Sequence, residues 1–368
     1  MPLQEEIDAK VKTILTDGYP MSIGELMNMY RDKELIVNPE FQRFFRWSDD
    51  QKSRFIESIL LGIPIPSIFV SQRDSGIWDV IDGLQRLSTI LEFVGILEKS
   101  DEDKPKPSKL KGTNFLPSLE GKMWDNTTDP DNSLTSEQRI NFKREKLDIK
   151  IIKKSDDIDA KYELFQRLNS GGSKLSDQEI RNCLLIMLDN DFFKWISKLR
   201  DFQPFQNCIP LLERLSEEQY DMELVVRFLV YRHANLQDIK GTEDIGDYLT
   251  DQILKIIKDR KIDYEQEQKI FEETFEYFDL LLSGDAFQRY NDEKQKFEGG
   301  FLIASFEALI VGVSENLKKL KLLDDEYVKN KIKEVHSNVA FKKEKRSRPV
   351  RRMEKLVSNS RKFFGELK

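Results

Sequence analysis

Strand signals in this chain stop near Asn190, and that break constrains the fold more than any composition figure. Before it, residues 67–72, 77–81 and 147–152 are short runs rich in β-branched and apolar residues, the pattern of strands. After it, apolar residues recur at helical spacing over 220–231, 245–258, 265–282, 300–320 and 324–335. The sequence therefore predicts an α+β domain over 1–190 with a small sheet, followed by an all-α domain over 191–368. No fixed repeat period joins the helices, which argues against a solenoid. A chain of 368 residues has room for two such cores.

Local signals order the first half. A helix follows Trp47, capped by Ser48 or Asp49, with Phe55, Ile59 and Leu60 on its apolar stripe. Gly62 and Pro64 stop it, and Ile63-Pro64-Ile65-Pro66 is a stiff connector that cannot be helical. The runs 67–72 and 77–81 form a hairpin around a turn at 73–76. Residues 84–97 then read as a helix with Leu87, Ile90, Leu91 and Val94 on one face. Residues 100–136, rich in Pro, Asp, Asn and Ser, read as a loop-rich, partly ordered insertion. Residues 158–168 have helical spacing and lead into the Asn169-Ser170-Gly171-Gly172-Ser173 turn. Ser176 caps a further helix, with Glu179 at the capping-box position.

The net charge of −7 excludes a uniformly basic nucleic-acid coat but not a local patch. Such a patch exists at 342–362, where ten Lys or Arg stand against two Glu, and it marks the tail for contact with a DNA backbone. Cys183 and Cys208 are the only cysteines, too few for a disulfide framework, and each lies beside apolar residues. Two histidines and two cysteines also argue against zinc, and nothing calls for haem. The polar, acidic N-terminus does not read as a secretory signal, and the longest apolar stretch, 301–313, is too short to span a bilayer. A cytoplasmic protein with no membrane partner is expected.

Three segments carry chemistry. In Asp79-Val80-Ile81-Asp82-Gly83-Leu84-Gln85-Arg86 a strand delivers the chain to a glycine and a helix opens at once. Unpaired backbone N–H groups and the positive dipole end make such a place favourable for phosphate. Gly83 lets the backbone approach a ligand, Arg86 can contact phosphate oxygens, Gln85 can donate or accept, and Asp82 can cap the helix or help hold a metal. The plainer alternative is a capped turn with a surface arginine. In the second segment, Phe165 to Asn182, Gly171 and Gly172 free the backbone after Asn169, and the turn can form an anion-binding nest or simply a helix corner. In the third, Asn38 to Trp47, aromatic residues interleave with Arg43 and Arg46, a pattern that suits base stacking and phosphate contact but also core packing with arginines at its rim.

Taken in order, F-Q-R-F-F-R-W at 41–47, I-E-S-I-L-L-G-I-P-I-P at 56–66, V-I-D-G-L-Q-R-L-S-T-I at 80–90 and F-Q-R-L-N-S-G-G-S-K-L-S-D-Q-E-I-R-N at 165–182 resemble the N-terminal domain of GmrSD-type restriction proteins. The similarity runs over about 35–185. It implies a ParB/sulfiredoxin-like domain with a nucleotide or phosphate site at the family's D-G-Q-Q-R motif. That motif maps onto Asp82, Gly83, Leu84, Gln85 and Arg86, with Leu84 in place of the commoner Gln. By analogy with ParB-like relatives, Arg167 and Asn169 are candidates for the second part of the site. Family members act in defence against foreign or modified DNA, often with an HNH-type nuclease.

An HNH site needs a histidine beside metal-binding groups, and His233 and His336 stand far apart, so no nuclease of that kind is expected here. Asp148-Ile149-Lys150 has the Asp-x-Lys look of a metal nuclease strand without a clear carboxylate partner. The expectation is an NTP-binding, NTP-hydrolysing restriction-like protein using Mg²⁺. Asp82, Gln85 and Arg86 would be catalytic, Asp82 would be the metal contact, and Gly83, Arg86, Arg167, Asn169, Gly171 and Gly172 would hold phosphate. Arg43, Arg46, Arg348, Arg351 and Arg352 are the DNA-contact candidates. The alternative is a module that senses nucleotide or DNA without turnover and recruits a separate nuclease subunit; a homo-oligomer is compatible with either.

Overall fold

The computed structural model describes residues 16–37, 47–73, 75–98, 107–152, 176–217, 219–233, 235, 239, 244–259, 262–338, 341 and 347–367. The chain forms two compact units, Met1–Ser173 and Lys174–Lys368.

The first unit is built on a five-stranded mixed sheet. Its strands are β1 (Thr16–Ser22), β2 (Leu35–Ile36), β3 (Ile68–Gln72), β4 (Trp78–Asp82) and β5 (Lys146–Ile152), in the order β1-β5-β3-β4-β2. The β3–β4 hairpin and β5 fall where the sequence pattern predicts them. In β5, buried Leu147, Ile149 and Ile151 alternate with Lys146, Asp148 and Lys150, so one face meets the core. The sequence pattern does not predict β1, because Gly18 and Pro20 lower its strand propensity. It pairs only with β5, and at a sheet edge the missing N–H of Pro20 costs no ladder bond. β2 is only two residues long and pairs with β4 alone.

Four helices flank the sheet strands in sequence: α1 (Ile23–Arg31), α2 (Asp49–Leu60), α3 (Leu84–Val94) and α4 (Ser136–Arg144). Ser48 caps α2 in a full capping box with Gln51, in line with the sequence signal. The insertion is better ordered than its composition suggests. Over 107–134 it carries two short 3₁₀ turns and buries Leu110, Leu119 and Leu134. Its polar groups are satisfied by α2. Buried Glu57 accepts the N–H groups of Phe115 at 3.2 Å and Leu116 at 3.0 Å and the Thr113 hydroxyl, while Ser53 Oγ accepts the Lys111 N–H at 2.9 Å. Trp124 packs edge-on against Phe93 and Phe142. Loop composition thus reports the absence of regular backbone, not the absence of packing.

The second unit is helical: α5 (Asp177–Leu188), α6 (Asn190–Arg200), α7 (Gln203–Cys208), α8 (Glu213–Glu217), α9 (Tyr220–His233), α10 (Ile245–Asp259), α11 (Tyr264–Leu281), α12 (Ile303–Leu320), α13 (Asp325–Ser337) and α14 (Pro349–Gly365). The long helices lie where the periodicity places them. A two-stranded hairpin, β6 (Arg289–Asn291) and β7 (Lys296–Glu298), interrupts them; its three-residue strands are too short for a periodic signal. Helix α5, which the sequence pattern groups with the first domain, belongs to this unit. The core includes an aromatic cluster of Phe205, Phe228, Phe271, Phe275, Phe278 and Phe287.

Beside the aromatic core runs a buried ionic network. Glu307, on α12, is 0% exposed and accepts from Arg352 at 2.7 Å; the Tyr231 hydroxyl lies 3.3 Å away and Arg227 3.5 Å away. Arg227 also pairs with Glu223 at 2.8 Å. Burial opposes the charge on Glu223, yet Arg227 and Arg181 outweigh it and hold its carboxyl below the usual range. The C-terminal segment is therefore no loose tail over 349–365. α14 docks on α12 through Arg352 and through a close crossing in which a Cβ on Gly312 would meet the Ser360 carbonyl at 2.4 Å. Arg361 adds a pair with Glu315 and donates to the Tyr231 carbonyl at 3.1 Å.

Glu307→Ala strands the guanidinium groups of Arg227 and Arg352 without their shared carboxylate. We expect a loss of about 3–5 kcal/mol in urea unfolding followed by circular dichroism. Arg361→Ala, which breaks a half-exposed pair, should cost only about 1 kcal/mol.

Candidate functional site

The site begins with a fault in a ladder. β3 and β4 pair Val70 with Val80 but Phe69 with Asp82, so β4 carries one extra residue at its end. Such a bulge bends the strand and re-aims the chain beyond it. The backbone then enters Gly83 at φ +88°, ψ 16°, a left-handed conformation that favours glycine. Space imposes the same choice, because a Cβ at Gly83 would lie 2.8 Å from Ile68 Cγ1 and 3.3 Å from the Arg86 guanidinium carbon.

Gly83 is itself the N-cap of α3, and no side chain caps the helix. This corrects one role considered for Asp82. Its carboxylate does not cap; it accepts a hydrogen bond from Arg86 Nη2 at 2.8 Å. Arg86 Nη1 donates to the Ser67 carbonyl at 3.0 Å and to the Pro66 carbonyl. The guanidinium thus ties the Ile63–Pro66 connector to the turn, and the Arg86 side chain is only 13% exposed. Asp82, at 41%, faces solvent more. Leu84 is 8% exposed and joins the core, so the residue that departs from the D-G-Q-Q-R pattern points away from the turn's surface. Gln85 Oε1 accepts the Trp47 N–H at 3.1 Å, a contact across 38 residues that no local pattern announces. The Gln85 Nε2 atom is buried and has no hydrogen-bond partner among the described residues. An anion at this place would meet the unpaired N–H groups of a helix start, a glycine with no side chain in the way, and a positive charge already held by Asp82.

The remaining candidates separate. Arg43, Arg46, Arg167, Asn169, Gly171 and Gly172 lie outside the described residues. Immediately after that second segment, Ser176 and Glu179 form the expected capping box of α5. Beyond it the segment serves packing in the second unit. Arg181 is fully buried and donates to the Gly246 carbonyl at 2.9 Å, Thr250 Oγ1 at 3.1 Å and the Gln178 side chain. Of the tail arginines, Arg348 and Arg351 are exposed, whereas Arg352 turns inward to Glu307. That inward turn corrects the assignment of Arg352 as a surface contact.

His233 sits 3.2 Å from Glu267, which Arg232 also engages at 3.1 Å. Burial pushes that carboxyl up, but hydrogen bonds from His233 and Arg232 prevail and hold it at about 2. His336 is buried against the Phe297 ring. Asp148 lies on the exposed face of β5. Among the described residues, no group of three or more His, Cys, Asp or Glu side chains is arranged to hold a metal ion, and no helix is long and apolar enough to cross a membrane.

Compared with known families, residues 23–186 match the model described as the GmrSD restriction endonuclease N-terminal domain. The match takes in the sheet, the Gly83 turn and most of α5. No curated protein matches the chain.

Gly83→Ala puts a side chain into a left-handed turn and against Ile68. We expect it to cost roughly 1–3 kcal/mol in thermal or urea unfolding, whereas Gly76→Ala, also at positive φ but with nothing within 4 Å of the added Cβ, should stay at the low end of that range.

Proposed function

We propose, from the match of residues 23–186 to the GmrSD restriction endonuclease N-terminal domain, that the protein is a restriction-like defence protein whose first unit binds a nucleoside triphosphate at the Asp82–Arg86 turn. The observation that carries this reading is the left-handed, side-chain-free start of α3 at Gly83, braced from behind by Arg86. The backbone N–H groups of the first turn and the Gln85 amide contact phosphate oxygens, and Arg86 supplies positive charge beside them while fixing the turn. Catalysis at such a site consists of positioning and charge stabilisation. Mg²⁺ accompanies the triphosphate and neutralises its charge, and Asp82, partly exposed at the turn, is the protein carboxylate available to it. A triphosphate-bound Mg²⁺ takes only one or two protein carboxylates beside the phosphate oxygens. Arg167, Asn169, Gly171 and Gly172 complete the phosphate site in the ParB/sulfiredoxin-like reading of the unit.

DNA is the partner that the family description brings to the second unit. Arg348, Arg351, Lys355 and Lys362 are exposed on α14 at spacings that share one helix face, a basic row about 21 Å long. Arg352 and Arg361, held by Glu307 and Glu315, are excluded from it. A sensing module without turnover, which recruits a separate nuclease subunit, is the second reading. Buried Leu84 favours it, because an apolar side chain there can neither hold phosphate nor orient water.

Binding and hydrolysis of the four NTPs with Mg²⁺ separate these readings. Wild type should bind at least one NTP. Gln85→Glu, which keeps an acceptor for the Trp47 N–H but replaces the amide donor with a negative charge, should weaken binding at least about tenfold. Phosphate release by wild type decides for the enzyme, and binding without release decides for the sensor. A folded protein that binds none of the four overturns the nucleotide reading. On DNA, the double variant Arg348→Glu, Arg351→Glu should weaken binding across sequences and lower the slope of log K against log salt by about 2, while Arg352→Gln should act through stability instead.

A further inference from the structure

Helix α3 leaves the Gly83 turn carrying Gln85, Ser88 and Thr89, positions three and four apart that share one face. Three polar atoms on that face, Gln85 Nε2, Ser88 Oγ and Thr89 Oγ1, are buried and have no hydrogen-bond partner among the described residues. Thr89 is 2% exposed. Serine and threonine inside helices commonly donate back to the carbonyl four residues earlier. Several others in this chain do so: Ser53 to Asp49 at 2.7 Å, Ser58 to Arg54 at 2.9 Å, Ser197 to Phe193 at 2.9 Å and Thr274 to Ile270 at 2.6 Å, while Ser305 on α12 is a buried exception. Ser88 and Thr89 do not. A purely structural helix face gains nothing from such groups, since each is desolvated without compensation and an apolar residue of the same shape would be better.

The surroundings have the composition of a nucleoside site. The Gln85 amide oxygen is fixed on the Trp47 N–H, and the Trp47 ring meets Phe55 edge-on with centroids 5.3 Å apart. One turn further along the same face, Glu92 pairs with Lys52 at 2.6 Å. An aromatic ring and two hydroxyls thus follow directly on the turn and the amide that the proposed function assigns to phosphate. A ring offers a stacking face to a base, and hydroxyl groups match the edges of a base and the hydroxyls of a sugar.

We propose that this face of α3 receives the nucleoside of a nucleotide whose phosphates lie at the Gly83 turn and the Gln85 amide, with Ser88 Oγ and Thr89 Oγ1 bonding the sugar or base beside Trp47. The inference rests on the nucleotide reading above and adds to it the residues that distinguish a nucleotide from bare phosphate. A face of this kind trades apo stability for recognition, because its polar groups are satisfied only when the ligand is present.

The test compares the four NTPs with inorganic tripolyphosphate, each with Mg²⁺, by calorimetric titration of the full chain. Wild type should bind one NTP at least tenfold more tightly than tripolyphosphate, the discrimination expected of a site built to hydrogen-bond its ligand. Ser88→Ala, Thr89→Val should bind tripolyphosphate as wild type does, lose the preference for the NTP, and melt at or above the wild-type temperature without ligand. Ser88→Ala alone gives the same comparison if the double variant does not fold. Equal binding of NTP and tripolyphosphate by wild type, or a preference that survives in either folded variant, overturns this inference and leaves the phosphate turn standing. Failure of wild type to bind either ligand removes the phosphate turn and this inference together.

Discussion

The guanidinium of Arg86 holds the first unit's turn in shape, and much of the local architecture depends on it. One group reaches the Pro66 and Ser67 carbonyls at the entry to β3 and the Asp82 carboxylate at the end of β4. The connector carbonyls it satisfies belong to a Pro-rich stretch that cannot enter a helix, so they need a donor from elsewhere. Arginine fits because its planar fork can serve several acceptors at once, which the single ammonium of lysine does with poorer geometry. The charge stays beside the start of α3, half neutralised by Asp82. Brace and electrostatic platform are therefore the same residue, and removing it would confound a test of phosphate contact with collapse of the turn. Gln85, whose amide nitrogen has no other engagement among the described residues, is the cleaner probe.

The backbone logic of this unit is legible in the sequence. Gly83 between a strand and a helix, Ser48 as a cap, and the apolar face of α3 obey rules that act over four or five residues. The contacts that give the turn its chemistry do not. Trp47 reaches Gln85 across 38 residues, and Arg86 reaches Ser67 across 19. No periodicity encodes such pairings, because they depend on how the hairpin and the connector fold back. β1 is hidden for a related reason: Gly18 and Pro20 make a poor strand in isolation, and only the edge of a sheet already formed by β5 and its neighbours accepts them. The insertion reads as loose because Glu57 and Ser53, which organise it, look locally like ordinary polar positions of α2.

The second unit shows the limit of reading charge from composition. Ten basic residues over 342–362 look like one solvated run, yet the helix sorts them. Arg352 is engaged inside the bundle by Glu307 and Arg361 pairs with half-exposed Glu315, while Arg348, Arg351, Lys355 and Lys362 face out. The same holds for Arg181 and Arg227, whose charges are buried among acceptors supplied by other parts of the unit. Buried pairs of this kind add little net stability over apolar packing, but breaking one is costly. Their effect is to specify which helices meet and in what register. Gly312 and Ser360 reinforce that choice, since α12 and α14 approach closely only where no side chain intervenes.

Buried polarity takes opposite forms at two places, helix α3 in the first unit and the Glu307 network in the second. In the second, Glu307 is surrounded by donors from Arg227, Tyr231 and Arg352. In the first, α3 carries a row of donors and acceptors that the described residues leave unanswered. A satisfied network rigidifies, whereas an unsatisfied one lowers the stability of the empty state and raises the free energy released when a partner completes it. The helix that begins at a left-handed glycine and continues into Ser88 and Thr89, whose hydroxyls have no partner among the described residues, is poorly explained as a core element alone. Ser53 and Ser58 on α2, both bonded back to their own helix, supply the contrast within one unit. Local sequence pattern does not draw that distinction; it lies in where each buried polar atom finds its hydrogen bond.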